Sequence, residues 1–331
     1  MPKPRYTQIA LSATPYYHCV SRCVRRAFLC GTDTVSGQTY EHRRGWIEEK
    51  LTRLVSVFAI DLCAYAIMSN HYHLVLHVNS DRAIKWTRDE VLHRWHQIFA
   101  GHALSLRYQR GEPLSKAELA RLDKDVSVWQ QRLMDISWFM RVLNESIARA
   151  ANIEDHCTGR FWEGRFKSQA LLDEAAILAC MAYVDLNPLR AKLANTPEGS
   201  DHTSIKARIK KAKQATLPAD PKQQPAHLYP LVGHPRKAMP AGIPFRLDDY
   251  LALVDWTGRI LREDKRGAIA ASLPPILERL NLEGKQWLYL AEHFESPFKG
   301  FVGSVYKLKQ ACQTLGYRRM PGRTACERCF S

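Results

Sequence analysis

The first clear pattern along the chain is a β-prone run at 16–22 (YYHCVSR). It is followed at 41–58 (EHRRGWIEEKLTRLVSVF) by Trp46, Leu51, Leu54 and Val55 recurring at helical spacing. Two β-rich runs come next, IDLCAYAIM at 60–68 and HYHLVLHV at 71–78, with Ser69-Asn70 as a short turn compatible with a hairpin. The order therefore opens β-α-β-β. From 81 to 153 the apolar positions keep a helical period, with Trp86, Val91, Trp95, Ile98 and Phe99 on one stretch. Ile136, Phe139, Met140, Leu143 and Ile147 mark a second stretch, and Gly111-Glu112-Pro113 breaks between the two. FKSQALL at 166–172 returns to strand character. Asp173 is a suitable N-cap for a helix from Glu174 towards Leu186, and Pro188 disfavours a helical Asn187 and predicts the end of that helix.

The predicted fold is α+β: a β-α-β-β core, a helical insertion at about 81–155, and a closing β-α. Past Leu193 the character changes. Residues 196–244 read as a basic, Pro-rich linker that begins with a short helix, Ser204 to Gln214, carrying Lys206, Arg208, Lys210, Lys211 and Lys213. Helical patterns at Leu247 to Arg262, Pro275 to Phe294 and Val302 to Leu315 predict a small, mainly helical domain over 245–331.

Charge narrows the partners. The chain of 331 residues is 46% hydrophobic and 24% charged, an ordinary globular composition, but its formal net charge is +15. Such a surface attracts phosphates or anionic lipid. No run of about 18 apolar residues is present, so a nucleic acid is the expected partner and a membrane is not. Nine cysteines at irregular spacing, with no export signal, read as reduced thiols in the cytoplasm.

Two local features carry candidate chemistry. His71 and His73 alternate within an apolar strand, so both imidazoles point the same way, about 7 Å apart along the chain. Such a pair can hold an ion. His77 shares their parity, which keeps a three-histidine zinc site open as an alternative. The second feature is YVDLNP at 183–188, where a continuous helix would put Tyr183 and Asn187 on one face as i and i+4. A phenol is a weak nucleophile near neutrality and needs a polarised electrophile or a base.

Together and in this order, the segments resemble a known family. MSNHYHLVLHV (68–78) resembles the HUH strand of the single-tyrosine transposases. AYVDLNPLRAKL (182–193), preceded by GRFWEGRFKSQALL (159–172), is similar to the catalytic-tyrosine helix of their REP-associated branch, and YYHCVSRCVRRAFL (16–29) to its first strand. The resemblance covers 10–200 apart from the insertion. It implies the HUH nuclease fold, a ferredoxin-like antiparallel sheet, over 1–195. It further implies a transposase that binds hairpin or palindromic DNA ends and cleaves and rejoins single-stranded DNA through a 5′-phosphotyrosine at Tyr183. His71, His73 and, as third ligand, Asn187 would hold a divalent metal, Mg²⁺ or Mn²⁺. Related enzymes occur as monomers and as homodimers, and a cytoplasmic, nucleoid-associated location is expected. The chain departs from the family in Tyr72, larger than the usual aliphatic, in the helical block, and in the C-terminal extension.

Arg160, Phe161, Trp162, Arg165 and Lys167 interleave cations with aromatics, a mix suited to stacking bases and neutralising phosphates. Arg22, Arg25, Arg26 and Arg190 complete the expected DNA contacts. Cys326-x-x-Cys329, with Cys312 nearby, has the spacing of half a zinc site but no second pair. Two other functions fit the same residues: a hairpin-DNA-binding protein on this fold without cleavage, and a histidine-ligated zinc hydrolase.

Overall fold

A computed structural model describes residues 8–24, 29–33, 37–233, 239–261 and 274–330. The core follows the order β1 (Tyr16–Arg22), α1 (Arg43–Val57), β2 (Ile60–Ile67) and β3 (His71–Val78). The helical block follows as α2 (Ser80–Ile84), α3 (Arg88–His96), α4 (Ala103–Gln109), α5 (Lys116–Arg132) and α6 (Ile136–Glu154). The chain then returns to β4 (Lys167–Leu171), α7 (Glu174–Asp185) and α8 (Asn187–Arg190). The remainder is α9 (Ser204–Gln214), α10 (Leu247–Leu261), α11 (Pro275–Arg279), α12 (Gly284–His293), β5 (Phe301–Val302), α13 (Val305–Thr314) and α14 (Arg323–Cys329).

The sheet order is β2-β3-β1-β4-β5. The first four strands are antiparallel throughout, with β3 beside both β2 and β1, and β1 beside β4. That order and direction is the ferredoxin-like arrangement. The two faces of β3 go to different helices, as strand alternation requires. Tyr72 is fully buried on one face and donates its hydroxyl to Asn144 Oδ1 of α6 at 2.6 Å. His71 and His73 take the opposite face, under α7. The bulk of Tyr72 is thus absorbed by the helical block.

Pro188 does not end the helical segment. The chain turns at Leu186, and Pro188 sits in the first turn of α8, where its missing N–H is no loss. Residues expected as a linker dock instead on the β2 edge. Ile205 and Arg208 of α9 are buried, and Arg208 Nη2 donates to the carbonyls of Cys63 and Tyr229, both at 2.9 Å. Cys63 is the extra residue of a bulge between Leu62 and Ala64, so its carbonyl is free to accept from outside the ladder.

The C-terminal pattern at Pro275 to Phe294 is two helices, with Asn281 left-handed at φ 53° between them. β5 pairs parallel with β4, Ala170 opposite Phe301 and Leu171 opposite Val302, which extends the sheet by a fifth strand. A strand of two residues leaves no alternation to read. Gly303 follows it at φ 150°, where an added Cβ would lie 2.9 Å from Asp173 Oδ2. Asp173 holds both sides of this junction. Its Oδ1 caps α7 at Ala176 N (3.0 Å), as expected, and its Oδ2 accepts from Ser304 N (2.7 Å).

Candidate active site

β3 presents His71 and His73 on one face with ring centroids 4.8 Å apart. The Tyr183 ring on α7 lies edge-on to His73 at 5.8 Å. The helix that carries Tyr183 is fixed two residues further on. Asp185 is fully buried and accepts from Ser204 Oγ (2.5 Å), Ile205 N (2.9 Å) and the Tyr250 hydroxyl (2.5 Å), which ties α7 to α9 and α10. Burial pushes the Asp185 carboxyl up to about 6, against the pull of those hydrogen bonds.

Burial dominates the electrostatics of the site. It pushes His71 down to about 4, with Arg22 and Arg190 adding to the effect. It holds His73 well below the usual imidazole value, helped by His18, His71 and the same two arginines. Both rings are therefore neutral at pH 7, the form in which an imidazole binds a metal. Tyr183 is 8% exposed, and burial raises its phenol, partly offset by Arg190. Arg190 Cζ stands 3.7 Å above the Tyr183 ring centroid, and Nη1 donates to the carbonyls of Ala291 (2.8 Å) and Glu292 (3.2 Å). Arg190 is thus engaged with Tyr183 and α12 rather than open to a phosphate.

Among the buried polar atoms without hydrogen-bond partners are His73 Nε2, Asn187 Nδ2 and Arg190 Nε. Such atoms are costly unless something fills the gap. Of these only His73 Nε2 offers a lone pair, which a divalent ion beside the second imidazole of His71 would take. Among the described residues no group of three or more His, Cys, Asp or Glu side chains could hold a metal ion. Any further ligands would then be an amide, water or substrate oxygen.

His77 does not join its strand partners. Its Nδ1 is 2.9 Å from Asp61 Oδ2 and its ring stacks on Tyr229 at 4.8 Å, towards the other end of β3 from His71. The three-histidine zinc site is not formed. Nor do the C-terminal cysteines form one: Cys312, Cys326 and Cys329 are buried among apolar side chains, and burial pushes Cys326 up to about 11.

The expected base-stacking aromatics are corrected as well. Phe161 (2% exposed) and Trp162 (9%) lie in the core, the indole donating to Asn144 O at 2.8 Å and packing on Tyr72. Their apolar area outweighs the cations around them. Arg22, Arg160, Arg165 and Lys167 remain exposed, Arg22 directly across from His71 in the β1/β3 ladder. Arg25 and Arg26 lie outside the described residues.

The sequence reading missed His18 and Gln169. His18 on β1 and Gln169 on β4 are register partners. His18 Nε2 is 2.9 Å from His73 Nδ1, and His18 Nδ1 is 2.9 Å from Gln169 Oε1. Phe294, just beyond α12, packs against both His18 (6.0 Å) and Tyr183 (5.7 Å). A cavity of about 540 Å³ opens here, lined by His18, Lys167, Gln169, Tyr183, Glu292 and Phe298 among others.

No helix among the described residues is long and apolar enough to cross a membrane. No protein-family model matches the chain, and no curated protein sequence does. Among solved structures, the chain is similar to a REP-associated tyrosine transposase bound to a REP hairpin, at 10% identity and a TM-score of 0.37, over 73% of this chain and 97% of that one.

Proposed function

We propose that this chain is a metal-dependent tyrosine nuclease and transposase acting on single-stranded DNA beside a hairpin. The observation that carries the reading is the meeting of His71, His73 and Tyr183, with His73 Nε2 buried and unpartnered. In this reading Tyr183 Oη attacks the phosphorus of a backbone phosphodiester. The new bond is O(Tyr)–P, the P–O3′ bond breaks, the phenol gives up its proton to solvent, and the departing 3′ oxygen takes one up. The DNA is left as a 5′-phosphotyrosine and a free 3′-OH, and the reverse reaction with another 3′-OH rejoins it without an energy source. Held by His71, His73 and Asn187, a divalent ion such as Mg²⁺ or Mn²⁺ would supply Lewis-acid polarisation of the phosphate. Arg190 holds positive charge against the Tyr183 ring and favours the ionised phenol. The net charge of +15, with Arg22, Arg160, Arg165 and Lys167 exposed, supports a polyanionic substrate.

The test incubates the full chain with Mn²⁺ and a labelled hairpin oligonucleotide bearing a single-stranded flank. A covalent adduct that survives denaturation, requires the metal and disappears in Tyr183→Phe is expected. An adduct that persists in Tyr183→Phe contradicts the nucleophile. Hairpin binding with no adduct under any divalent metal contradicts cleavage and makes the chain a hairpin-DNA-binding protein.

A further inference from the structure

A chain of polar contacts runs from the C-terminal segment to the unpartnered nitrogen of His73, and each link fixes the next. Gln169 Nε2 donates to two backbone carbonyls, Glu295 O at 3.2 Å and Phe298 O at 3.3 Å. Carbonyls only accept, so the amide NH₂ must point to them and Oε1 must face His18. An amide oxygen also only accepts, so His18 Nδ1, 2.9 Å away, carries the proton. A neutral imidazole has one N–H, which leaves His18 Nε2 as an acceptor. His73 Nδ1, 2.9 Å from it, must then be the donor. The remaining nitrogen, His73 Nε2, is left with a bare lone pair, and it is buried with no hydrogen-bond partner.

We infer that the C-terminal segment sets the tautomer of His73 through Gln169 and His18, making these two residues positioning groups that present His73 Nε2 as a ligand. The consequence for a metal rests on the function proposed above, but the tautomer does not. Free histidine favours the opposite form, with the proton on Nε2, so the relay works against the intrinsic preference of the ring. The C-terminal extension thereby gains a role: it supplies the two carbonyls at which the relay begins. All three side chains are buried. Partners of this kind behind a ligating histidine typically change metal affinity about 10- to 100-fold.

The experiment is ¹⁵N-histidine NMR of the full, metal-free chain at pH 7.5, with signals assigned through His18→Phe and His73→Gln. His73 is expected protonated on Nδ1 and bare on Nε2, and His18 likewise. In His18→Phe the acceptor is gone, and His73 should move to the Nε2–H form. In Gln169→Leu, His18 should return to its own Nε2–H form, donate to His73 Nδ1, and drive the same change in His73. Mn²⁺ binding followed by electron paramagnetic resonance should weaken about tenfold or more in both variants. Wild-type His73 carrying its proton on Nε2 overturns the inference without recourse to any variant. So does a His73 tautomer unchanged in both Gln169→Leu and His18→Phe. The NMR readout involves neither metal nor DNA, so a chain that does not cut DNA and a chain without the relay give different results.

Discussion

Arg190 lies face-on against Tyr183, its guanidinium carbon 3.7 Å from the ring centroid. The two are seven residues apart, on successive helices joined at Leu186. Contact of this kind in a buried setting is worth about 1–2 kcal/mol and favours a phenolate over a phenol.

Arg190→Gln should therefore slow adduct formation about tenfold and move the pH dependence of the rate to higher pH. Burial raises the Tyr183 phenol, and the variant takes away the cation that offsets it. Rates measured from pH 6.5 to 9.5 check this. A profile that superimposes on wild type would mean that Arg190 only packs.

Tyr72→Phe should leave adduct formation unchanged and lower stability by about 1–2 kcal/mol, measured by urea unfolding. The hydroxyl it removes satisfies Asn144 Oδ1 on the face of β3 opposite the histidines, and Asn144 Nδ2 in turn donates to Ser21 Oγ at 3.1 Å. A variant as stable as wild type would contradict this link between sheet and helical block.

Asp61 governs an acid-sensitive part of stability. Burial alone would raise its carboxyl, but hydrogen bonds and charge from His77 and Arg82 more than reverse this and hold it below the usual value. A folded pKa below the unfolded one gives stability that is complete above about pH 4 and lost as pH falls further. Asp61→Asn should be less stable than wild type at pH 7, and its Tm should fall less between pH 5 and pH 3. Parallel Tm curves would refute the assignment.

Gly303→Ala should loosen the C-terminal segment. At φ 150° the new methyl meets Asp173 Oδ2 at 2.9 Å and Leu172 Cβ at 3.0 Å, so backbone or cap must shift at a cost of about 1–3 kcal/mol. Hydrogen exchange should quicken at the amides of Ala170 and Leu172, which donate to Gly300 and Val302 carbonyls. Unchanged exchange there would show that the junction tolerates a side chain.

Much of the frame was legible because it is written in local periodicity. The limits of β1 and β3 follow from runs of β-prone residues and the turn at Ser69-Asn70, and Asp173 from its position before an apolar helix. His71, His73 and Tyr183 stood out as polar groups where the pattern called for packing. Phe161 and Trp162 were misplaced because aromatics beside cations look the same in a core hairpin as on a stacking surface. His18 and Gln169 could not be singled out by any spacing. Their contact depends on β1 lying between β3 and β4, which is a property of strand order rather than of either segment. Arg190 required the turn at Leu186, and β5 was too short to alternate.

The most direct measurement is mass spectrometry of the trapped protein–DNA adduct formed with Mn²⁺ and a hairpin oligonucleotide. The proposed function predicts a single modified peptide in which Tyr183 Oη is joined to the 5′ phosphate of the downstream DNA, with a free 3′-OH on the released strand, and none of it in His71→Ala. An adduct on another residue, linkage through a 3′ phosphate, or equal yield from His71→Ala would contradict the assignment of Tyr183 and the two histidines to one catalytic site.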